Sequence, residues 1–444
     1  MAPSRESPSS RERWAWLESS EITRHDYPLE QQSGYLELVR GNVNFRRLWI
    51  GNIVSLLGDW FNTIALYSLV SELTGSPFAL GAVFITKMLP WALSSPLAGL
   101  LVDRFNRRRL MIASDLLRAV VVLGLLFVDT PGEVYLVYVL TALQVVIGSV
   151  FQPAKSASLP NITSPRELLT ANTIMAATWS IMLAAGAALG GFAAEWLGEQ
   201  AVFAIDSFTY LVSAFFVYRT VIPQVTERRR EGPLLPVAFR DILEGWTHLR
   251  SNPRIGRISL AKGTWAVAGG GLVFMLTLLG EALSPSAQAV GIGILFATRG
   301  LGTGFGPLVA RRLFRDQAVW PAVLGGCVVV SGVFYTAVGF VPWTYLVALL
   351  VMMAHAASGA NWVLSAVLLQ ERTMDRLRGR VFASEWLLVM LADAASILTA
   401  SLLLESGALD LRSAFRIFGL VQLLCGILWV SIVVPAERRL QPGS

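Results

Sequence analysis

Twelve long apolar stretches recur along this 444-residue sequence, at 47–72, 79–102, 110–129, 134–157, 168–197, 201–222, 257–280, 288–311, 318–340, 343–369, 379–404 and 412–434. At about 1.5 Å of rise per residue, each is long enough to cross a bilayer core of roughly 30 Å as a helix. With 54% of residues hydrophobic and 15% charged, there is too little polar surface to clothe a soluble globule. The expected fold is an all-α integral membrane protein of twelve transmembrane helices.

The loops alternate in charge. One set carries Arg104, Arg107, Arg108 and Arg109, then Lys155 and Arg166, then Arg228, Arg229 and Arg230, then Arg311, Arg312 and Arg315, then Arg376, Arg378 and Arg380. Both ends of the chain join this set through Arg46, Arg47, Arg438 and Arg439. The other set carries Glu72, Asp129, Glu133, Glu195, Glu199, Glu281, Glu405 and Asp410, with Arg412 its main basic member. The positive-inside rule puts both termini and the 103–109 loop in the cytoplasm, as an even number of spans requires. The expected location is a membrane, crossed many times.

The net charge of +6 is therefore a topology signal. No stacking platform or recognition motif points to nucleic acid. Cys327 and Cys425 lie in apolar runs and read as packing residues. The three histidines show no metal-ligand spacing, so neither metal nor cofactor is expected.

Residues 1–40 read as a disordered cytoplasmic tail. No apolar region follows their basic residues early enough for a cleavable signal, and Trp14, Trp16 and Leu17 are the tail's only candidates for touching a membrane or partner. Residues 41–222 form one six-helix half and 257–434 the other. Residues 435–444 are a short cytoplasmic tail. Between the halves, 223–256 is a cytoplasmic linker. Within it Phe239, Ile242, Leu243, Trp246 and Leu249 recur at helical spacing, which predicts an amphipathic helix on the membrane surface. An internal repeat supports the division: GLLVDR at 99–104 follows the second span, and GPLVAR at 306–311 follows the eighth. Asp103 becomes Ala310 in the second copy. Two related halves are a transporter layout, with the substrate site between them near the midplane.

The stretch GLLVDRFNRRR resembles the loop motif between helices two and three of the major facilitator superfamily, Gly-x-x-x-Asp-Arg-x-Gly-x-Arg-Arg. Gly99, Asp103, Arg104, Arg108 and Arg109 match. Asn106 replaces the second glycine, and Asn tolerates the left-handed turn that glycine supplies. The stretches NFRRLWIGNIVSLLGDWF, FQPAKSASLPNIT, ELLTANTI and RLRGRVFA are similar to bacterial exporters of the enterobactin-exporter and macrolide-efflux type. The resemblance implies two pseudo-symmetric six-helix halves. It also implies a bacterial cytoplasmic (inner) membrane, and that Asp103 meets the N-terminal end of the eleventh helix and the nearby arginines in the outward-facing state, as a cytoplasmic gate; Asp115 and Arg118, close to that loop, read as part of the same gate. GAALGG at 186–191 is similar to the fifth-helix motif of drug–proton antiporters through Gly186, Gly190 and Gly191, with Ala187 in place of proline. Close helix packing explains the same spacing equally well. In the fourth helix Gln144 and Gly148 stand where many members carry Arg-x-x-x-Gly, and Gln cannot carry that charge.

Ionisable groups at mid-bilayer are expensive, at least about 2.5–3.5 kcal/mol on insertion scales, so each needs a reason. Counting along the spans puts Asp59, Arg299, His355 and Asp393 near the middle, and Lys87, Asp115, Arg118, Asp206, Lys262, Glu281 and Glu385 nearer an interface. Asn52, Ser55, Asp59 and Asn62 share one face of the first helix; His355, Ser358, Trp362 and Ser365 repeat the same offsets in the tenth. The resemblance makes these helices cavity-lining, so two polar stripes are expected to face one substrate path. Asp59 reads as a proton acceptor or cation contact, or else as a permanently paired structural acid. Arg299 either binds an anionic group of the substrate or pairs with Asp393. His355 either titrates or is a hydrogen-bonded member of the bundle. Trp60, Phe61, Trp179, Trp265 and Trp362 are candidate aromatic walls.

The expectation is a secondary active transporter that exports a small amphipathic molecule (drug, macrolide or siderophore) in exchange for protons. Its partners are the small-molecule substrate, protons and the bilayer, with no nucleic acid, and the chain acts as a monomer. Lipid, lysolipid or metabolite transport, and a non-transporting membrane sensor, are the rival readings. No motif for phosphate cradling, metal binding or nucleophilic catalysis marks an enzyme.

Overall fold

The computed structural model describes residues 33–223 and 234–439. The expected tail contacts Trp14, Trp16 and Leu17, the loop arginines Arg228, Arg229 and Arg230, and the side chains of Phe239, Asp241 and Arg376 lie outside the described residues. Twelve described helices are long and apolar enough to cross a membrane, and the described residues contain no strand. They are α1 (Val43–Thr74), α2 (Pro77–Arg104), α3 (Arg107–Phe127), α4 (Pro131–Ile162), α5 (Pro165–Leu197), α6 (Glu199–Arg219), α7 (Pro253–Leu283), α8 (Gln288–Leu313), α9 (Gln317–Val338), α10 (Leu346–Arg372), α11 (Leu377–Glu405) and α12 (Leu411–Arg438). The spans coincide with the apolar stretches to within a few residues; the polar flanks add a turn or so.

Local chemistry explains where the helices start. Asn42, Ser76 and Asn106 each accept a bond from the backbone N–H three residues on, the preferred use of these residues at a helix start. Ser164 and Glu167 form a capping box before α5. Asn106 has φ −66° and is extended. The expected left-handed turn is therefore corrected: Asn stands here as a cap and not as a glycine surrogate. α4 breaks after Gly148, and its second piece, Phe151–Ile162, carries Pro153 in its first turn, where a missing N–H costs nothing.

Helices α1, α5 and α6 pack together, as do α3 with α6 and α2 with α4. In the second half of the chain, α7 packs on α11 and α12, α8 on α10, and α9 on α10 and α12. Two seams join these groups, α5 against α8 and α2 against α11. The linker helix, Leu234–Ser251, lies against α11. Glu244 pairs with Arg380, and the Ser384 hydroxyl donates to the Ile242 carbonyl at 3.1 Å. Leu249 is buried, while Leu243 and Trp246 stay exposed.

The array has one face where α1 begins and α12 ends, the terminal face, and an opposite far face. Burial along α1 shows which is sealed. No residue from 44 to 71 is fully exposed, so α1 has no lipid side. From Asn62 to Val70 every residue is buried, whereas Ile53, Val54, Leu56, Leu57, Asp59, Trp60 and Phe61 are partly exposed. That exposure arises from an interior space on the terminal side of Asn62. The same change occurs in α7, where Ala268–Thr277 is continuously buried. Four rings close the far side. Tyr67 stacks on Phe84 at 4.2 Å and meets Phe296 at 5.7 Å, while Phe84 meets Phe274 edge-on at 5.8 Å. Two come from α1 and α2 and two from α7 and α8, so the plug couples both groups of helices.

The α5–α8 seam is built backbone to backbone. A Cβ on Gly191 would lie 2.4 Å from the Ala289 carbonyl oxygen; one on Gly300 would lie 2.6 Å from the Ala184 nitrogen. Gly304 faces only the Ser180 side chain, at 3.4 Å. Gly191→Val is thus expected to pry the far ends of α5 and α8 apart. Overpacking of this kind costs about 1–3 kcal/mol, enough to shift a two-state equilibrium roughly 5- to 150-fold. Spin labels at Gln200 and Ser286, in a background lacking Cys327 and Cys425, should gain a longer-distance population by pulsed electron resonance. Gly304→Ala should leave the distances unchanged. Identical distributions for Gly191→Val and its parent would refute this account of the seam.

Candidate substrate cavity and charge cluster

Arg118 lies eleven residues into α3, roughly 16 Å along the axis, which is mid-bilayer depth. A guanidinium there needs partners, and four helices supply them. Asp115, one turn earlier on the same face, pairs with it directly. Asp59 of α1 lies 3.9 Å away. The Tyr210 ring of α6 has its centroid 4.2 Å from the guanidinium carbon, and Phe151 of α4 packs at 5.2 Å. Tyr210 donates its hydroxyl proton to Asp59 and accepts from the Gln144 amide at 2.9 Å. Gly148 lies close beside this group, where a Cβ would sit 3.2 Å from Arg118 Cδ.

The cluster extends along α1. Lys155 Nζ donates to Asn52 at 2.5 Å, and Lys87 Nζ donates to Thr63 at 2.8 Å. Asp206 is wholly buried against Gly58, where a Cβ would come within 2.5 Å of its carboxylate. Three acids and three bases therefore meet inside one group of helices. Of the acids, Asp115 and Asp206 are completely buried, while the Asp59 side chain is 37% exposed. Asp59 is where the cluster meets the interior space.

This geometry corrects several expectations. Asp115 and Arg118 do not group with the Asp103 loop; their depth in α3 takes them to Asp59 and Tyr210. Lys87 and Asp206 likewise meet α1, at Thr63 and Gly58. Lys262 and Glu385 form a 2.9 Å ion pair between α7 and α11, nearly inaccessible on both sides. The polar stripes do not line the cavity either. Asn52, Ser55 and Asn62 are buried within the α1–α6 group, and His355, Ser358 and Ser365 within the α7–α12 group. Only Asp59 and Trp362 of the two stripes are partly exposed.

His355 is held between the Tyr335 hydroxyl at 2.5 Å and Ser358 at 3.2 Å, as a hydrogen-bonded bundle residue. Arg299 and Asp393 come no nearer than the 4 Å of an ion pair among the described residues, and Asp393 instead backs onto Gly270 of α7. Trp60 and Phe61 pack on Gly186 and Gly190, whose added Cβ atoms would each lie 2.9 Å from them. Gly186 and Gly190 thus serve α1–α5 packing and Gly191 the α5–α8 seam. Trp179 is 45% exposed. Two of the candidate aromatic walls, Trp265 and Trp362, belong to one chain of rings. Trp265, Trp362, Trp386 and Trp91 follow edge-on at 6.3, 5.5 and 5.5 Å, crossing from α7 through α10 and α11 to α2.

At the terminal face Asp103 is exposed and makes no hydrogen bond or ion pair among the described residues. Its basic neighbours hold the local structure. Arg107 donates to the Ala157 carbonyl at 2.7 Å, and Arg108 donates to the Tyr218 carbonyl. Arg109 is exposed and Arg104 half-buried, and an added Cβ on Gly99 would meet nothing within 4 Å.

Residues 48–384 match the family model described as Major Facilitator Superfamily. The chain is 27% identical over 391 residues to "Putative bacilysin exporter BacE" of Bacillus subtilis (strain 168), covering 86% of this chain and 92% of that protein. It is 26% identical over 214 residues to macrolide efflux protein A of Streptococcus pyogenes, covering 47% of this chain and 52% of that one. Among solved structures, peptide transporter POT in complex with sulfate superposes with a TM-score of 0.75 at 12% identity, covering 93% of this chain and 98% of that one.

Proposed function

The chain belongs to the major facilitator superfamily, and from that premise we propose that it exports a small amphipathic molecule from a bacterial cytoplasm in exchange for protons. The terminal face is the cytoplasmic one, as the arginine-rich loops favour. The α1–α6 and α7–α12 groups rock about the midplane cavity. In the state described, the aromatic plug closes the outside and the cavity opens inward.

One observation carries the coupling: Asp59 is the single acid of the six-charge cluster with solvent access, and it is bound to Tyr210 beside Arg118. A proton arriving from the cavity at Asp59 removes a charge next to the guanidinium. A cluster packed against α1, α3, α4 and α6 at once then has two charge states and a reason to prefer two arrangements. The export direction draws support from the names of the relatives. Asp103 is free in this state, which suits a latch that closes the cytoplasmic side in the other: a carboxylate is favoured at the N-terminal end of a helix such as α11.

Everted membrane vesicles test the proposal. Supplied with a proton gradient, acid inside, they should accumulate a macrolide or bacilysin, and a protonophore should release it. Accumulation indifferent to the protonophore would exclude proton exchange. No gradient-driven flux of either compound or of a catechol siderophore would favour the sensor reading.

A further inference from the structure

Arg299 is a cation that this scheme does not use. It makes no hydrogen bond and no ion pair among the described residues, and its Nε is buried without an acceptor. A guanidinium carries five N–H donors and does not lose its charge in proteins, so an unpaired one inside a membrane bundle is a strong demand for an anion. The side chain does not reach the lipid. Leu301, Phe305 and Leu308 mark the outer side of α8 at 55%, 63% and 63% exposure, and Arg299 lies a third to a half of a turn away from them. Gly300 and Gly302, beside it, press the backbone onto α5 and α10 and hold the guanidinium on the inner face. The Phe296 ring packs at 5.6 Å, so the guanidinium sits directly on the cavity side of the aromatic plug. Tyr67, Tyr335, His355 and Asp393 are the ionisable groups around it. Of these His355 leads on: it meets Trp265 edge-on at 6.3 Å, and Trp265 begins the tryptophan chain.

We propose that Arg299 receives a carboxylate of the transported molecule at the closed end of the cavity, with the molecule's apolar body along Trp265, Trp362, Trp386 and Trp91. The inference rests on the cavity being the substrate path. A single planar fork matches a carboxylate in bidentate geometry. A dianion such as phosphate would meet one cation with the acid Asp393 beside it, and is the poorer fit. The substrate class is thus an amphipathic carboxylic acid whose head is read by the second half of the chain, while the proton is read by the first.

The test is binding without a gradient, so it stands or falls apart from proton coupling. The full chain in phosphatidylcholine nanodiscs is titrated calorimetrically with three probes that share one ring system: naphthalene-2-acetate, its amide, and 2-naphthylethylamine. The acid is expected to bind at least about tenfold more tightly than the amide or the amine, the scale of a charge-assisted hydrogen-bonded pair. Arg299→Gln should bring the acid down to the amide while leaving the amide unchanged, which shows the cavity intact. Arg299→Lys, a point charge without the fork, should keep a reduced preference and decides the matter if the Gln variant does not fold. Equal binding of acid and amide, no binding of the acid, or a preference undiminished in the variants overturns the assignment.

Discussion

Asp59→Asn is expected to abolish proton-driven accumulation while leaving equilibration down a concentration gradient in place. The asparagine keeps an oxygen for the Tyr210 hydroxyl and nearly the same volume, so packing between α1 and α6 should survive. What it loses is the change of charge. At 3.9 Å from Arg118 that change amounts to between about 1 kcal/mol in water and about 4 kcal/mol at an effective dielectric of about 20. The half-open position of Asp59 places it between those limits. Neither other acid in the cluster substitutes for it, since Asp115 and Asp206 are sealed from the cavity. A carrier whose two states no longer differ in affinity for a proton gains nothing from a proton gradient. The steady-state ratio of substrate across the vesicle membrane should therefore fall to about one. Asp59→Glu should retain part of the accumulation, and substrate binding in nanodiscs should persist in both variants. Wild-type accumulation by Asp59→Asn would remove Asp59 from the coupling path.

The sequence made the twelve spans legible because crossing a bilayer needs long uninterrupted apolar runs, which is a local property. The Asp103 loop was legible for the same reason, as charge stands out between two such runs. What joins helices was not. Asp115 and Arg118 sit close in sequence to the arginine loop, and that proximity assigned them to the gate. Counting their depth from the start of α3 would have placed them at mid-bilayer, where a lone charge needs a partner from another helix. Tyr210 and Gln144 carried a weaker signal: a phenol and an amide in apolar spans, each needing a hydrogen-bond partner when buried. The plug of Tyr67, Phe84, Phe274 and Phe296 carried none. Aromatic residues are common throughout these spans, and only the assembled helices show which four rings meet. The glycines of GAALGG divided in the same way, because which neighbouring helix each one touches is a non-local fact.

Arg118→Met should be the most destabilising single change in the charge cluster. It removes the direct partner of Asp115, whose carboxylate is completely buried, and leaves that acid in a helix bundle without its counter-charge. Breaking a buried pair from one side costs about 3–5 kcal/mol, most of it the penalty for the stranded group. The Tyr210 ring also loses the cation on its face, and Asp59 loses the charge that its protonation acts upon. Thermal unfolding in detergent should therefore shift down strongly in Arg118→Met. Adding Asp115→Asn removes the stranded charge and should restore most of the stability, a coupling readable as a double-mutant cycle. Transport should not return with it. The neutral pair supports the fold but gives Asp59 no guanidinium to respond to, so the double variant is expected to be stable and uncoupled. Simple additivity of the two stability losses would mean that Arg118 and Asp115 act independently. Recovery of gradient-driven accumulation in the double variant would mean that Arg118 holds the bundle together and takes no part in reading the proton.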